Sequence, residues 1–337
     1  MPRVLITGAA GFIGSHLTTA CLDAGYEVHA IVRSTRSDQR ISRLSRRISR
    51  HHFDLRDTDA IRRCMTTVEP HIIFHLAART RQFHGADFDE TAGLLHDDLA
   101  ILNALFAGAM AAKRPPARIV RTGSLAEYGA AARPSIETDR EAPVTPYGRR
   151  LMATTRYIDA VQPSLPFAVV AARLALVYGP GQSLDFFVPW LIEECLDGHR
   201  CIVRRPDDRR DLLHVADVVS ALLRMATTPL APGTIVNIAS GTAPTMREVA
   251  EFVIAGTGAD PRLVEYGQSN APTGAPTLHG HAQRALDLLG WQAGISLADG
   301  IAATIGWHRN RKRLAVSDAF ARPVSRNAVN RQSEAAS

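Results

Sequence analysis

The chain has 337 residues, of which 46% are hydrophobic and 21% charged, with a formal net charge of +6. That length exceeds one small core and suits a large α/β unit with a smaller partner, and the composition is that of a globular protein rather than a fibrous or disordered one. The positive balance is almost entirely arginine, dispersed with clusters near 33–50 and at the C-terminus; a solvated Arg-rich surface accounts for it, and nucleic acid is not expected as a partner.

The chain opens on Val4-Leu5-Ile6-Thr7, a short buried strand, followed by glycines at Gly8, Gly11 and Gly14 and then by helix formers. A strand that breaks at glycine into a helix N-terminus turns unpaired N–H groups and the helix dipole toward an anion. Gly8 permits the turn, Gly11 lets backbone approach a pyrophosphate, and Gly14 allows close helix–strand packing. With strand, turn and helix in order, the stretch reads as a dinucleotide site made by Gly8, Gly11, Phe12, Ile13 and Gly14.

Strand two runs from Tyr26 to Arg33. Where dinucleotide folds carry an acid for the adenosine 2′-hydroxyl, this chain has Arg33 and then Arg36. Two guanidiniums suit a 2′-phosphate, so NADP is expected over NAD, unless Arg33 only stacks on adenine. Strand three ends at Asp54-Leu55; Asp54 is read as an acceptor for the adenine amino group or as a helix cap. Strand four, His71–Leu76, leads into Ala77-Ala78, small enough for a cofactor to lie on the backbone, and His75 reads as a core histidine. A helix is expected over 90–112 and strand five over Arg118–Arg121, leading to Ser124, Glu127 and Tyr128.

Five strand–helix alternations predict a doubly wound parallel sheet of Rossmann type, with ligands at the strands' carboxyl ends. Pro146 and Tyr147 then open a helix to about 161, and strand six spans Phe167–Arg173. Further helices are expected near 246–256, 283–290 and 297–309, with a Pro/Gly-rich loop over 267–280. The reading divides the chain into a dinucleotide-binding domain (1–172, with 214–238 returning to it), a smaller α/β substrate lobe (173–309) and a disordered basic tail (310–337).

Cys21, Cys64, Cys195 and Cys201 form no C-x-x-C pair and no His spacing completes a zinc site, so no metal is expected and the thiols read as reduced, in a cytoplasmic protein. The first strand begins at residue 3, leaving no room for a signal peptide, and no apolar run reads as a membrane span.

Taken together, the glycine turn, Asp54-Leu55, Leu76-Ala77-Ala78, Ser124 with Tyr128-Gly129, Pro146-Tyr147, Arg173 with Tyr178-Gly179-Pro180, the segment Arg210 to Val218 and Leu288–Trp291 resemble the extended short-chain dehydrogenase/reductases, the nucleotide-sugar epimerases, dehydratases and reductases. The resemblance covers about residues 2–309. It implies hydride transfer at a sugar carbon, with Tyr147 as general acid/base and Ser124 holding the reacting oxygen. It implies a nucleotide-sugar ligand near Glu127, Tyr178 and Arg210, with Arg210 on its phosphates or in a salt bridge to Asp211 or Asp217. It further implies a homodimer through the helices at 90–112 and 146–161. The residue after Ser124, an acid in many dehydratases, is Leu125, which weighs against dehydration.

One departure matters. The family's Tyr-x-x-x-Lys reads Tyr147-Gly148-Arg149-Arg150-Leu151 here. That lysine holds the nicotinamide ribose and lowers the tyrosine's pKa. An unperturbed tyrosine titrates near 10, leaving roughly one molecule in a thousand as phenolate at neutral pH. Alcohol oxidation needs that phenolate; ketone reduction needs only the phenol. Reduction therefore survives the substitution best. Arg150, three residues after Tyr147 and on its face of the helix, is a candidate replacement, against a solvated surface role. The alternative is a dinucleotide-binding sensor or assembly protein that has lost catalysis.

Overall fold

The computed structural model describes residues 1–33, 39–78, 88–267 and 277–321. Its strands are β1 (Arg3–Thr7), β2 (Glu27–Val32), β3 (Ser49–His52), β4 (Ile72–His75), β5 (Arg118–Ser124), β6 (Ala168–Leu174), β7 (Leu176–Tyr178), β8 (Cys201–Val203), β9 (Leu212–His214), β10 (Ile235–Ile238) and β11 (Val264–Tyr266). Its helices are α1 (Phe12–Asp23), α2 (Thr58–Val68), α3 (Phe88–Ala111), α4 (Pro146–Val161), α5 (Phe187–Asp197), α6 (Val215–Thr227), α7 (Met246–Thr257), α8 (Gln283–Leu289) and α9 (Leu297–Ala321).

Seven strands form one parallel sheet in the order β3-β2-β1-β4-β5-β6-β10. The order reverses between β1 and β4, which opens a crevice at their carboxyl ends. Both faces are covered, so the strands β1, β4, β6 and β10 are largely apolar, while the edge strand β3 is polar. Val4, Ile6, Phe74 and Val120 pack with Leu17 of α1 and Val218 and Leu222 of α6. On the other face Leu5, Ile73 and Ile119 pack with Ile61 and Met65 of α2, Leu102 and Leu105 of α3 and Ile158 of α4. A third core joins Leu191 and Ile192 of α5, Val249 and Val253 of α7 and Ile301 and Ile305 of α9, beside the pairs β8–β11 and β7–β9.

Local signals set the helix starts. Asp57 caps α2 by accepting from the Ala60 N–H at 2.9 Å, and Thr145 caps α4 by accepting from the Gly148 N–H at 3.0 Å, with Pro146 in the first turn.

Two expectations are corrected. The tail set at 310–337 begins too early, because α9 continues to Ala321. Its polar second half is held by side chains: Arg311 and Lys312 meet Glu193 of α5 at 2.6 and 2.8 Å, and His308 Nδ1 lies 2.5 Å from the same carboxylate. Residues 322–337, and 268–276 of the expected loop, lie outside the described residues. Asp89–Ala111 of α3 is also long and apolar enough to cross a bilayer by length and composition. In this fold it lies against α2 and α4, and its Asp97 and Asp98 face a cleft described next.

Candidate active site

A cavity of about 760 Å³ runs along the carboxyl ends of β1 to β4. Gly8, Gly11, Arg33, Asp54, Leu55, Leu76, Ala77 and Ala78 line it, all expected at a cofactor. Arg36 lies outside the described residues. Phe12, Ile13 and Gly14 form the first turn of α1, which has no side-chain cap and no acidic residue. A Cβ on Gly14 would stand 2.1 Å from the Gly8 carbonyl oxygen, so only glycine brings helix and turn this close. An uncapped helix start over a turn built only of glycine and alanine, at the mouth of a cleft of this size, fits a dinucleotide diphosphate.

Arginines line the end of the cleft beside β2 and β3. Arg33 stands where β2 ends. Arg56 donates to Asp54 at 3.1 and 2.9 Å, and these bonds hold the Asp54 carboxyl down at about 2. Arg40 reaches across the cleft, donating to the Gly181 carbonyl at 3.2 Å and to that of Ala10 at 3.4 Å. Trp307 and Arg311 of α9 close the far wall. Arg40, Arg56, Trp307 and Arg311 were not foreseen: Arg56 follows Asp54-Leu55 without being part of that pair, and the other three lie in segments without a motif that only the fold carries to the cleft.

Beyond Asp98 lies the hydroxyl pair. Ser124 ends β5, and its Oγ accepts from the Ala126 N–H at 3.1 Å, with the Tyr147 phenol close enough to feel its hydroxyl. A Cβ on Gly148 would meet the Ala126 carbonyl oxygen at 2.4 Å; this close approach lets α4 carry Tyr147 up to the β5 turn. Tyr147 is partly exposed. Its phenol is pushed up to about 12, by burial first and then by the Glu127 carboxylate, against the opposing pull of Arg150, Arg121 and the Ser124 hydrogen bond.

Arg150 is not a solvated surface residue. It is 4% exposed, its Nε lies 2.7 Å from Asp98 Oδ2, and its guanidinium carbon is 6.0 Å from the Tyr147 ring centre. Asp98 lines the cleft, so this ion pair joins the cleft wall to the hydroxyl pair. Leu151, at the position of the family's lysine, is buried.

The expected substrate residues fare differently. Glu127 has no exposed surface: it accepts from the Ser124 N–H at 3.0 Å, from Thr155 Oγ1 at 2.8 Å and from Arg173 at 3.1 Å. It braces the β5 turn and cannot reach a substrate. Tyr178 is 2% exposed beneath His214 and Gly300, its hydroxyl 3.4 Å from the Leu297 carbonyl, and belongs to the third core. Arg210 pairs with Asp208 at 2.7 Å, neither Asp211 nor Asp217 being its partner. Those two accept instead from Ser240 and from the N–H groups of Gly294 and Ile295. His75 is a core histidine: Nδ1 lies 2.8 Å from Thr7 Oγ1, and burial and Arg121 push its pKa down to about 3. The four cysteines are free and buried, and among the described residues no group of three or more His, Cys, Asp or Glu is placed to hold a metal.

The profile of the NAD dependent epimerase/dehydratase family matches residues 4–239, which include the glycine turn, Ser124 and Tyr147. The chain belongs to this family. UDP-glucose 4-epimerase of Mycolicibacterium smegmatis is 29% identical over 92% of this chain and 100% of its own length. The dTDP-6-deoxy-L-talose 4-dehydrogenase (NAD(P)(+)) of Kitasatospora kifunensis is 27% identical over 78% of the chain and 81% of its own. MoeE5, solved with UDP-glucuronic acid and NAD, superposes with a TM-score of 0.78 at 29% identity, covering 92% of this chain and 99% of that one. The chain is also similar, at 23–26% identity, to dTDP-glucose 4,6-dehydratases. The chain carries Leu151 where the resemblance calls for lysine, with the Arg150 guanidinium carbon 6.0 Å from the Tyr147 ring centre.

Proposed function

We propose that the protein is an NADP-dependent oxidoreductase of nucleotide sugars, acting as a reductase or epimerase on a keto-sugar nucleotide, with Ser124 and Tyr147 at the reacting oxygen. The observation that carries this reading is Ser124 and Tyr147 close together at the carboxyl end of β5, joined through Arg150 and Asp98 to the wall of a cleft whose glycine turn fits a dinucleotide. The cofactor, when bound, supplies the hydride. The chain's own part is the proton: Tyr147, a neutral phenol far above neutral pH, donates from its Oη to the carbonyl oxygen. Ser124, its oxygen already fixed by the Ala126 N–H, orients that carbonyl by donating to it. Arg150 then faces the phenolate left behind. Reduction is favoured over oxidation because the required protonation state is the abundant one.

The guanidinium at the end of β2 supports NADP over NAD, although MoeE5 was solved with NAD. Arg210 is assigned to the substrate's diphosphate, in a lobe formed by residues 173–309, and α3 with α4 to the interface of a homodimer working in the cytoplasm. The test is consumption of NADPH on addition of a keto-sugar nucleotide. Tyr147→Phe is expected to lower turnover by roughly a hundredfold or more while keeping cofactor affinity. Leu151 favours one second reading, a dinucleotide-binding sensor without turnover; wild-type protein that binds NADPH but consumes none with any keto-sugar nucleotide supports it.

A further inference from the structure

Two neighbouring acids of α3 part company at the cleft, and both line it. Asp97 belongs to the β3 end: its Oδ2 lies 4.0 Å from Arg56, whose guanidinium also bonds Asp54. Asp98 belongs to the other end: its Oδ2 lies 2.7 Å from the Nε of Arg150 on α4. Asp98 also lines a second, small cavity of about 20 Å³, and Leu151 lines that cavity with it. Among the described residues Ala77, Ala78, Asp98 and Ile101 border both spaces, and of these Asp98 alone has a polar side chain. Arg150 and Leu151 are buried, whereas the Asp98 side chain keeps 22% of its surface. A carboxylate therefore stands at the corner where the cleft runs on toward Tyr147.

A dinucleotide laid across the point where strand order reverses divides its two nucleosides between the halves of the sheet, β2 with β3 on one side and β4 with β5 on the other. The half bound for Tyr147 carries a ribose with two adjacent hydroxyls. A carboxylate has two acceptor oxygens and takes both hydroxyls at once, the chemistry that dinucleotide folds use at the adenosine ribose. Leu151 offers that corner only hydrocarbon. Resting on the reading of the cleft as a dinucleotide site with Tyr147 at its reacting end, we propose that Asp98 is a cofactor-binding residue, accepting hydrogen bonds from the hydroxyls of the ribose beside the nicotinamide, with Arg150 as the counter-ion that holds it there. The contact has the opposite polarity to a lysine's: the protein accepts where an ammonium would donate. Because the Arg150 guanidinium carbon is 6.0 Å from the Tyr147 ring centre, one ion pair both anchors the ribose and flanks the phenol. A carboxylate serving only to neutralise a buried arginine needs no place on the cleft wall.

The test is binding, without substrate or turnover. The probes are NADPH or NADH, whichever the protein binds more tightly, and the analogue of that dinucleotide whose nicotinamide-side ribose lacks both hydroxyls; the two carry the same charge. Dissociation constants are read by cofactor fluorescence. The wild type is expected to bind the parent at least roughly tenfold tighter than the analogue. Asp98→Asn keeps the size of the acceptor and loses its charge, and is expected to narrow that ratio to less than about threefold. An ion pair with a structural role alone would change both affinities together and leave the ratio standing. A wild type that binds the two equally overturns the proposal, and so does a folded Asp98→Asn protein that keeps the wild-type ratio. Should Asp98→Asn fail to fold, the double variant Asp98→Leu with Arg150→Leu, which leaves no buried charge unmatched, is read by the same ratio. Protein that binds neither dinucleotide overturns the proposal together with the cleft reading. Protein that binds and discriminates as expected but turns over no keto-sugar nucleotide upholds the role of Asp98 and sinks the enzymatic reading alone.

Discussion

Tyr147 is held as a neutral phenol up to about pH 12, so at pH 7 on the order of one molecule in a hundred thousand carries the phenolate. The two directions of the reaction then differ in pH dependence. The proton donor for reduction is fully present through the neutral range, so its rate should stay flat from about pH 6 to about pH 9. Oxidation draws on the phenolate and should climb roughly tenfold per pH unit over the same span, measured at saturating cofactor. Arg33 is the other residue with a sharp expectation. It stands at the end of β2 and lines the cleft, where a carboxylate would bind a ribose hydroxyl and repel a phosphate. Arg33→Asp should weaken NADPH at least roughly tenfold and tighten NADH, read as two dissociation constants by cofactor fluorescence. The placement of Arg33 at the cleft and of Tyr147 at the start of α4 was legible, because each stands at a fixed offset from a local signal, the end of a strand or the start of a capped helix. That of Arg121 was not. In a central strand covered on both faces, alternation does not distinguish a buried arginine from one at a strand end, and only the register with His75 shows what it faces.

At the scale of elements, β5, its turn and α4 behave as one piece because buried charges bind them. Arg173 of β6 and Glu127 are both without exposed surface and 3.1 Å apart, and Arg173 continues to Glu141 at 2.7 Å while lying 4.5 Å from the Tyr128 ring centre. Removing one partner of such a pair leaves the other charge buried and unmatched. Glu127→Gln should therefore cost about 3–5 kcal/mol of stability in urea unfolding, whatever its effect on turnover. The strand–helix alternation and the caps at Asp57 and Thr145 were readable because they are short-range. Glu127 and Tyr178 were misplaced at the substrate for the opposite reason. Their motif fixes where they sit in sequence, while their burial depends on Thr155, Arg173, Leu297 and Gly300, far away along the chain. The second half of α9 escaped notice because its polar residues are ordered by Glu193, more than a hundred positions earlier.

The molecule as a whole is a sheet with a second cluster of helices and short strands across its carboxyl edge, and the sheet's parallel, doubly wound character followed from the strand–helix alternation. What joins the two across the cleft is slight: Arg40 to the Gly181 carbonyl at 3.2 Å and His16 to that of Pro180 at 2.8 Å. Arg40→Ala should speed release of bound cofactor by roughly tenfold, followed by stopped-flow displacement. The Arg40 clasp is made between a cation and carbonyl dipoles, which dissolved salt screens weakly, whereas a guanidinium facing a diphosphate is a contact between full charges that salt does screen. Concentrated electrolyte should therefore weaken cofactor binding while leaving the Arg40 clasp in place.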